Sequence, residues 1–188
     1  MTTLYLNAAF KEGSRTQVLA ACYLEGVADD VEEVDLGRVH PAPLDADSLA
    51  VYNKAVATHV FDDPMFDVPK QFARADQIVI AAPYWNYSIP AALHDYLELA
   101  CTQGLTFDID ETGTYFSMCA AKRLVYLTTS GGPIREPDYA FGYIEALARD
   151  FWRIPDVRCY KAQGIDMYGC DVDAALARVC EQIRADRA

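Results

Sequence analysis

The chain has 188 residues, 52% hydrophobic and 23% charged, with 28 acidic against 16 basic side chains and a formal charge of −12. That length and apolar content suffice for one sizeable core and argue for one globular domain. The acidic balance, with no Lys/Arg-rich run, excludes the phosphate-neutralising surface that nucleic acid requires, and no apolar stretch approaches the roughly 20 residues that span a bilayer.

The N-terminal "MTTLYLNAAF" lacks the basic-then-apolar plan of a leader, so a soluble, cytoplasmic chain is expected. In chain order, "LYLNA" (4–8) reads as a first strand. The loop "AFKEGSR" follows, then a helix from Thr16 to about Ala28, in which Val18, Leu19, Cys22 and Tyr23 recur at helical spacing and Ser14 or Thr16 can cap the start. "VEEVDL" (31–36) reads as a second strand. From 37 to 75 the pattern is weak: "HPAPLDAD" is a loop by its prolines, 47–60 is helical, and "DDPMFDVPK" interrupts it before a short helical piece reaching Ala75.

"QIVIAA" (77–82) is a continuous apolar run that suits a central parallel strand covered on both faces. Pro90 then opens a helix whose stripe is Leu93, Tyr96, Leu97, Ala100 and Cys101. "GLTFDIDETGTYFSMCAAK" (104–122) is long for a connection in this pattern. Its runs 106–109 and 115–118 flank a glycine turn, as a small hairpin would. "RLVYLTT" (123–129), a helix marked by Ile144, Leu147, Ala148 and Phe151, "VRCYKA" (157–162) and a last helix striped by Val172, Leu176, Val179, Cys180 and Ile183 complete the chain. Five strands separated by helices predict an α/β doubly wound parallel sheet.

The six cysteines, Cys22, Cys101, Cys119, Cys159, Cys170 and Cys180, contain no C-x-x-C and are expected to be mostly buried thiols. His40, His59 and His94 have no metal-ligand spacing, so no metal site is predicted.

In such a sheet a ligand binds beyond the carboxyl ends of the strands where strand order reverses, which brings three loops together. In "KEGSRT", Gly13 permits a tight turn, Ser14 and Thr16 bring hydroxyls, Arg15 brings charge, and the next helix directs free N–H groups at the same point. That composition suits a phosphate, although a Ser14 that only caps the helix would leave the same trace. It matches neither a Walker A nor a dinucleotide fingerprint, so a monophosphate is favoured. "TTSGG" (128–132) offers hydroxyls and two glycines whose backbone can approach a flat ligand, or is only a turn. Between them "PYWNYSIP" (83–90) places Tyr84, Trp85 and Tyr87 as walls for a planar heterocycle, with Asn86 to bond its edge, or else seals a sheet edge or a subunit contact.

A planar heterocycle carrying one phosphate points to FMN. "APYWNYSIPAALHDYLELACTQGLTF" followed by "TTSGG" resembles the FMN-dependent NADH:quinone oxidoreductase and azoreductase family, whose members share a flavodoxin-like fold. The resemblance is specific over about 77–132 and looser over the whole chain. It implies sheet order 2-1-3-4-5, with Ser14, Arg15 and Thr16 at the phosphate. Pro83, Tyr84, Trp85, Asn86 and Tyr87, with Thr129, Ser130, Gly131 and Gly132, would lie at the flavin ring. It also implies a homodimer with the flavin at the interface, the hairpin around Tyr115 and Phe116 helping to cover the partner's site. The activity implied is ping-pong transfer of hydride from NADH or NADPH through FMN to a quinone, azo compound or similar flat acceptor, with no side chain needed as an essential nucleophile or base.

Three departures bear on the acceptor more than on the cofactor. Tyr84 stands where Met or Ile is common, Pro133-Ile134 stands where many relatives have a histidine nearby, and 37–75 is short for the family. A flavodoxin-type electron carrier and a flavin reductase using FMN as substrate remain alternatives. A receiver module and a Cys-x5-Arg phosphatase are excluded, since the strand ends carry no acidic cluster and the first loop carries no such cysteine.

Overall fold

The computed structural model describes residues 1–28, 30–39 and 41–186, so His40, one of the three histidines weighed above, lies outside them. In chain order the elements are β1 (Thr2–Asn7), α1 (Arg15–Leu24), β2 (Asp30–Asp35), α2 (Ala46–Thr58), a single 3-10 turn (Pro64–Phe66), α3 (Asp67–Arg74), β3 (Gln77–Ala81), α4 (Ala91–Ala100), β4 (Phe107–Ile109), β5 (Tyr115–Ser117), β6 (Arg123–Ser130), α5 (Phe141–Asp150), β7 (Asp156–Gln163) and α6 (Val172–Ala185). The main sheet runs β2-β1-β3-β6-β7, every pair parallel, which is the expected 2-1-3-4-5 order counted over its own strands. β4 and β5 form the expected antiparallel hairpin.

Strand periodicity explains the two layers of helix. Leu4, Leu6, Ile78, Ile80, Leu124 and Tyr126 face one core with Phe72 of α3, Leu93, Tyr96, Leu97 and Ala100 of α4, and Ile144 and Ala148 of α5. The alternate residues Tyr5, Val79, Ala81, Val125 and Leu127 face a second core with Leu19, Ala20 and Tyr23 of α1 and Ala175, Leu176, Val179 and Ile183 of α6. Both faces of the central strands are thus covered, as their unbroken apolar runs require.

Three expectations need correction. α1 ends at Leu24 and not near Ala28, because Glu25 caps it and the Val27 N–H turns back to the Leu24 carbonyl at 2.9 Å. Pro90 is the N-cap of α4, one position before the helix proper. Cys22 and Cys180 are not thiols: α1 and α6 lie side by side, their Cα atoms 5.7 Å apart, and a disulfide joins them, a separation well suited to that bond. Cys101, Cys119, Cys159 and Cys170 are free and half-buried, and burial pushes the thiols of the first three up to about 12. Cys101, Cys119 and Cys159 therefore stay protonated, and poor nucleophiles, at neutral pH.

Candidate functional site

The loop after β1 is shaped by Gly13, whose φ of 67° lies where only glycine sits without strain. That turn returns the Ser14 N–H to the Lys11 carbonyl at 3.0 Å and starts α1 at Arg15. Ser14 holds the N-cap position, yet its side chain makes no capping bond. The capping explanation for this serine is therefore not the one the geometry supports, and its hydroxyl is directed elsewhere. The first N–H groups of any α-helix lack intrahelical acceptors and carry the positive end of its dipole. Thr16 is fully buried, its hydroxyl 2.7 Å from that of Thr129. Its side chain ties the first loop to the end of β6, beneath the surface that Ser14 and Arg15 present.

The aromatic segment continues the parallel ladder before it turns. Ala82 N–H donates to Leu127 O and Tyr84 N–H to Thr129 O, both at 3.0 Å. Trp85 and Ser88 then exchange N–H···O bonds of 3.0 and 2.8 Å, while Asn86 and Tyr87 adopt φ of 51° and 67°. This is a two-residue turn with both central residues left-handed, a geometry that favours Asn and Gly and is strained for tyrosine. It splays Trp85 and Tyr87 outward, 44% and 61% exposed. Tyr84 does the opposite: its hydroxyl is buried with no hydrogen-bond partner, as are those of Tyr126 and Thr128. Burial first, and the nearby Asp138 carboxylate second, raise the Tyr84 phenol above its ordinary value. Tyr84 thus packs inward against the core while still lining the crevice.

The third loop is held by the one after β7. Ile165, Asp166 and Gly164 donate N–H bonds of 3.1, 3.0 and 3.0 Å to the carbonyls of Ser130, Gly131 and Gly132, and the Ser130 hydroxyl donates to Gly132 O at 2.5 Å. Gly131 is favoured by a neighbour and not by its own backbone angles: a β-carbon there would meet the Asp166 carboxylate, which would have to move aside. The other oxygen of that carboxylate accepts from Arg15 Nη1 at 2.5 Å.

Two adjoining cavities result. One of about 440 Å³ is lined by Ser14, Arg15, Thr16, Pro83, Tyr84, Trp85, Thr129 and Gly131, together with Ala9, Lys11, Glu12, Gly13, Ile165 and Asp166. The other, about 350 Å³, shares Tyr84 and Gly131 and adds Asn86, Tyr87, Ser130, Gly132, Pro133 and Arg135. Both volumes lie within the range of small-molecule sites, about 300–1,000 Å³. All twelve residues singled out from sequence line one or the other. Lys11, Arg135 and Asp166 were missed. Asp166 follows the edge strand β7, whose loop the crossover argument did not include, and its one advance signal was Gly164 directly after that strand. Arg135 lies just past the Gly-Gly pair and could have been read as a cation at the same crevice.

The donor set fits a phosphorylated planar ligand. Helix N–H groups, an uncommitted hydroxyl and two cations gather at one end, with aromatic walls and a glycine approach at the other. Among the described residues no group of three or more His, Cys, Asp or Glu is placed to hold a metal ion, and no helix is long and apolar enough to cross a membrane.

A crevice at the carboxyl end of a parallel sheet ordered 2-1-3-4-5 is the arrangement of the flavodoxin-like class. The sequence model of the family described as "Flavodoxin-like fold" matches residues 1–186, and the chain belongs to that family. It is 30% identical over 153 residues to an FMN-dependent NADH:quinone oxidoreductase of Coprothermobacter proteolyticus, covering 79% of this chain and 76% of that one. A protein of the same name from Clostridium perfringens is 28% identical over 188 residues, covering 95% and 94% of the two chains. The crystal structure of an FMN-dependent NADH-azoreductase from Bacillus anthracis in complex with FMN superposes with a TM-score of 0.80 at 20% identity, covering 99% of this chain and 97% of that one, a likeness of fold.

Proposed function

We propose that the chain is a cytoplasmic FMN-dependent NAD(P)H oxidoreductase that reduces quinones, azo compounds or similar flat acceptors. The observation that carries this reading is that all twelve predicted residues line two adjoining cavities, one beside the start of α1 and one at the 84–87 turn, that share Tyr84 and Gly131. The names of the relatives, and the family to which the chain belongs, support the same assignment.

Bound FMN would supply the acceptance of hydride from a nicotinamide and its delivery to a second substrate. The protein supplies position and electrostatics. Ser14, the first N–H groups of α1, Lys11 and Arg15 would hold the phosphate, while Trp85, Tyr87 and Tyr84 would frame the flat ring system. The N–H groups of Gly131 and Gly132 would be available to its polar edge, where fixed dipoles would favour negative charge without reorganising.

The exposed aromatics Trp85, Tyr87, Tyr115 and Phe116 support assembly as a homodimer in which a second copy closes the crevice. A patch of such residues is a common mark of a contact surface.

Steady-state consumption of NADH or NADPH by the FMN-loaded protein, with and without a simple quinone, tests the reading. Turnover that needs both FMN and the quinone, with parallel double-reciprocal lines, is expected. Flavin that binds but turns over no nicotinamide would point to an electron carrier, and flavin consumed as a freely exchanging substrate would point to a flavin reductase.

A further inference from the structure

Asp166 was not expected at the site, and its position is unusual for an acidic group. It belongs to the loop after β7, and its backbone N–H is fixed to Gly131 O at 3.0 Å. One carboxylate oxygen bonds Arg15, the cation at the anion-binding end. The other lies against the Cα of Gly131, where a β-carbon would have to stand. A single carboxylate therefore reaches from the phosphate end of the crevice to the glycine loop at its ring end. With Lys11, Arg15, Glu12 and Asp166 all lining this cavity, two positive side chains are opposed by two negative ones before any anion enters.

We infer that Asp166 is an affinity-determining residue. It holds part of the Arg15 guanidinium and repels a phosphate, so that the pocket gains less from the cofactor's phosphate than its cations alone would give. The inference rests on the flavin reading of the crevice. Its physical basis is that a guanidinium has a fixed set of five donors, one of which Asp166 uses, and that like charges on one side of a cavity oppose each other. The effect is modest, because the Arg15 and Asp166 side chains are 41% and 64% exposed and exposed pairs are screened by water and salt.

The test is equilibrium binding of FMN and of riboflavin, which lacks the phosphate, followed by flavin fluorescence in wild type and in Asp166→Asn. Asparagine keeps the size and the acceptor oxygen for Arg15 while removing the charge. Asp166→Asn is expected to tighten FMN about two- to fivefold at low salt, to leave riboflavin unchanged, and to lose its advantage as salt is raised. In an Arg15→Gln background the same change is expected to give a smaller gain, since there is no guanidinium left to share. Circular dichroism and melting temperature show that each variant is folded, and Asp166→Ser serves if Asn is not.

Weaker binding of both flavins on Asp166→Asn would mean that the carboxylate instead accepts from the hydroxyl-bearing tail, and would overturn the inference. Unchanged FMN affinity would overturn it as well. If wild type binds neither flavin, the cofactor reading itself fails and takes this inference with it. Binding of both flavins with no response to Asp166 fails the inference alone.

Discussion

The two ends of the parallel sheet are built on opposite plans. At the amino end the Thr2 N–H donates to Asp76 Oδ2 at 2.8 Å, the Lys122 N–H to the Asp76 carbonyl at 3.0 Å, and Asp156 is bonded by Arg123 at 2.6 Å and Arg158 at 2.9 Å. Most polar groups there have partners, the buried Trp152 Nε1 being an exception, and the helices α3 and α5 run down to a buried contact of Phe72 with Trp152, ring centroids 4.3 Å apart and planes tilted by 45°. At the carboxyl end a serine at an N-cap position does not cap, a tyrosine is held at φ 67°, a tryptophan is left 44% exposed, and three hydroxyls are buried without partners. Departures from local rules also occur at the amino end, where Arg153 is held at φ 49°, but they gather at the carboxyl end around the candidate crevice, which is where a consistent sequence is expected to break them for function.

The contrast can be broken most strongly from the stable side. Phe72→Ala leaves a cavity beside Trp152 and is expected to cost about 3–5 kcal/mol of unfolding free energy by denaturant titration, with flavin affinity of the folded fraction unchanged. From the other side, Ser14→Ala should weaken FMN about tenfold, through loss of a charge-assisted hydrogen bond, and leave both riboflavin binding and the melting temperature unchanged. A serine that was merely a helix cap would do the reverse, lowering stability by about 1 kcal/mol without touching the FMN-to-riboflavin ratio.

Tyr87→Gly sharpens the same point. It removes a wall of the ring cavity and also relieves a left-handed tyrosine, so flavin affinity should fall severalfold while stability holds or rises, by no more than about 1 kcal/mol. The smallest effect concerns acid. Arg158 first, and Arg123 with it, hold the Asp156 carboxyl below its usual range against a smaller opposing effect of burial. A carboxyl depressed in the folded state stabilises above its unfolded value, about 4, and that contribution is lost as pH falls through the lower folded value. Asp156→Asn should therefore flatten the acid limb of melting temperature against pH and leave flavin binding at pH 7 unchanged.

Most of the fold was legible because its signals are local and periodic. "QIVIAA" and "RLVYLTT" are unbroken apolar runs, and the Leu93–Tyr96–Leu97–Ala100 stripe is buried as its spacing demands. The segment 37–75 was the least legible, although α2 carries a clear start signal in Asp45, whose side chain and that of Ser48 form a capping box. The disulfide could not be read, since nothing in a separation of 158 residues says that α1 and α6 lie side by side. At the site, residue types and loop positions were legible, but side-chain direction was not. That Tyr84 points inward and Tyr87 outward follows from a turn whose left-handed residues Asn86 announces only weakly. Asp166 depends on packing between the last two loops, which no pattern within either one encodes.

The most direct test of the central claim, that the carboxyl end of this sheet is a flavin site, is a titration of the purified protein with FMN followed by quenching of tryptophan emission, repeated with Trp85→Phe. The account predicts saturable binding with one flavin per chain, and loss of most of the quench when Trp85 is replaced while the binding itself persists in flavin fluorescence. Saturable binding whose quench is untouched by the Trp85 substitution would put the flavin elsewhere on the molecule, and no binding would contradict the account outright.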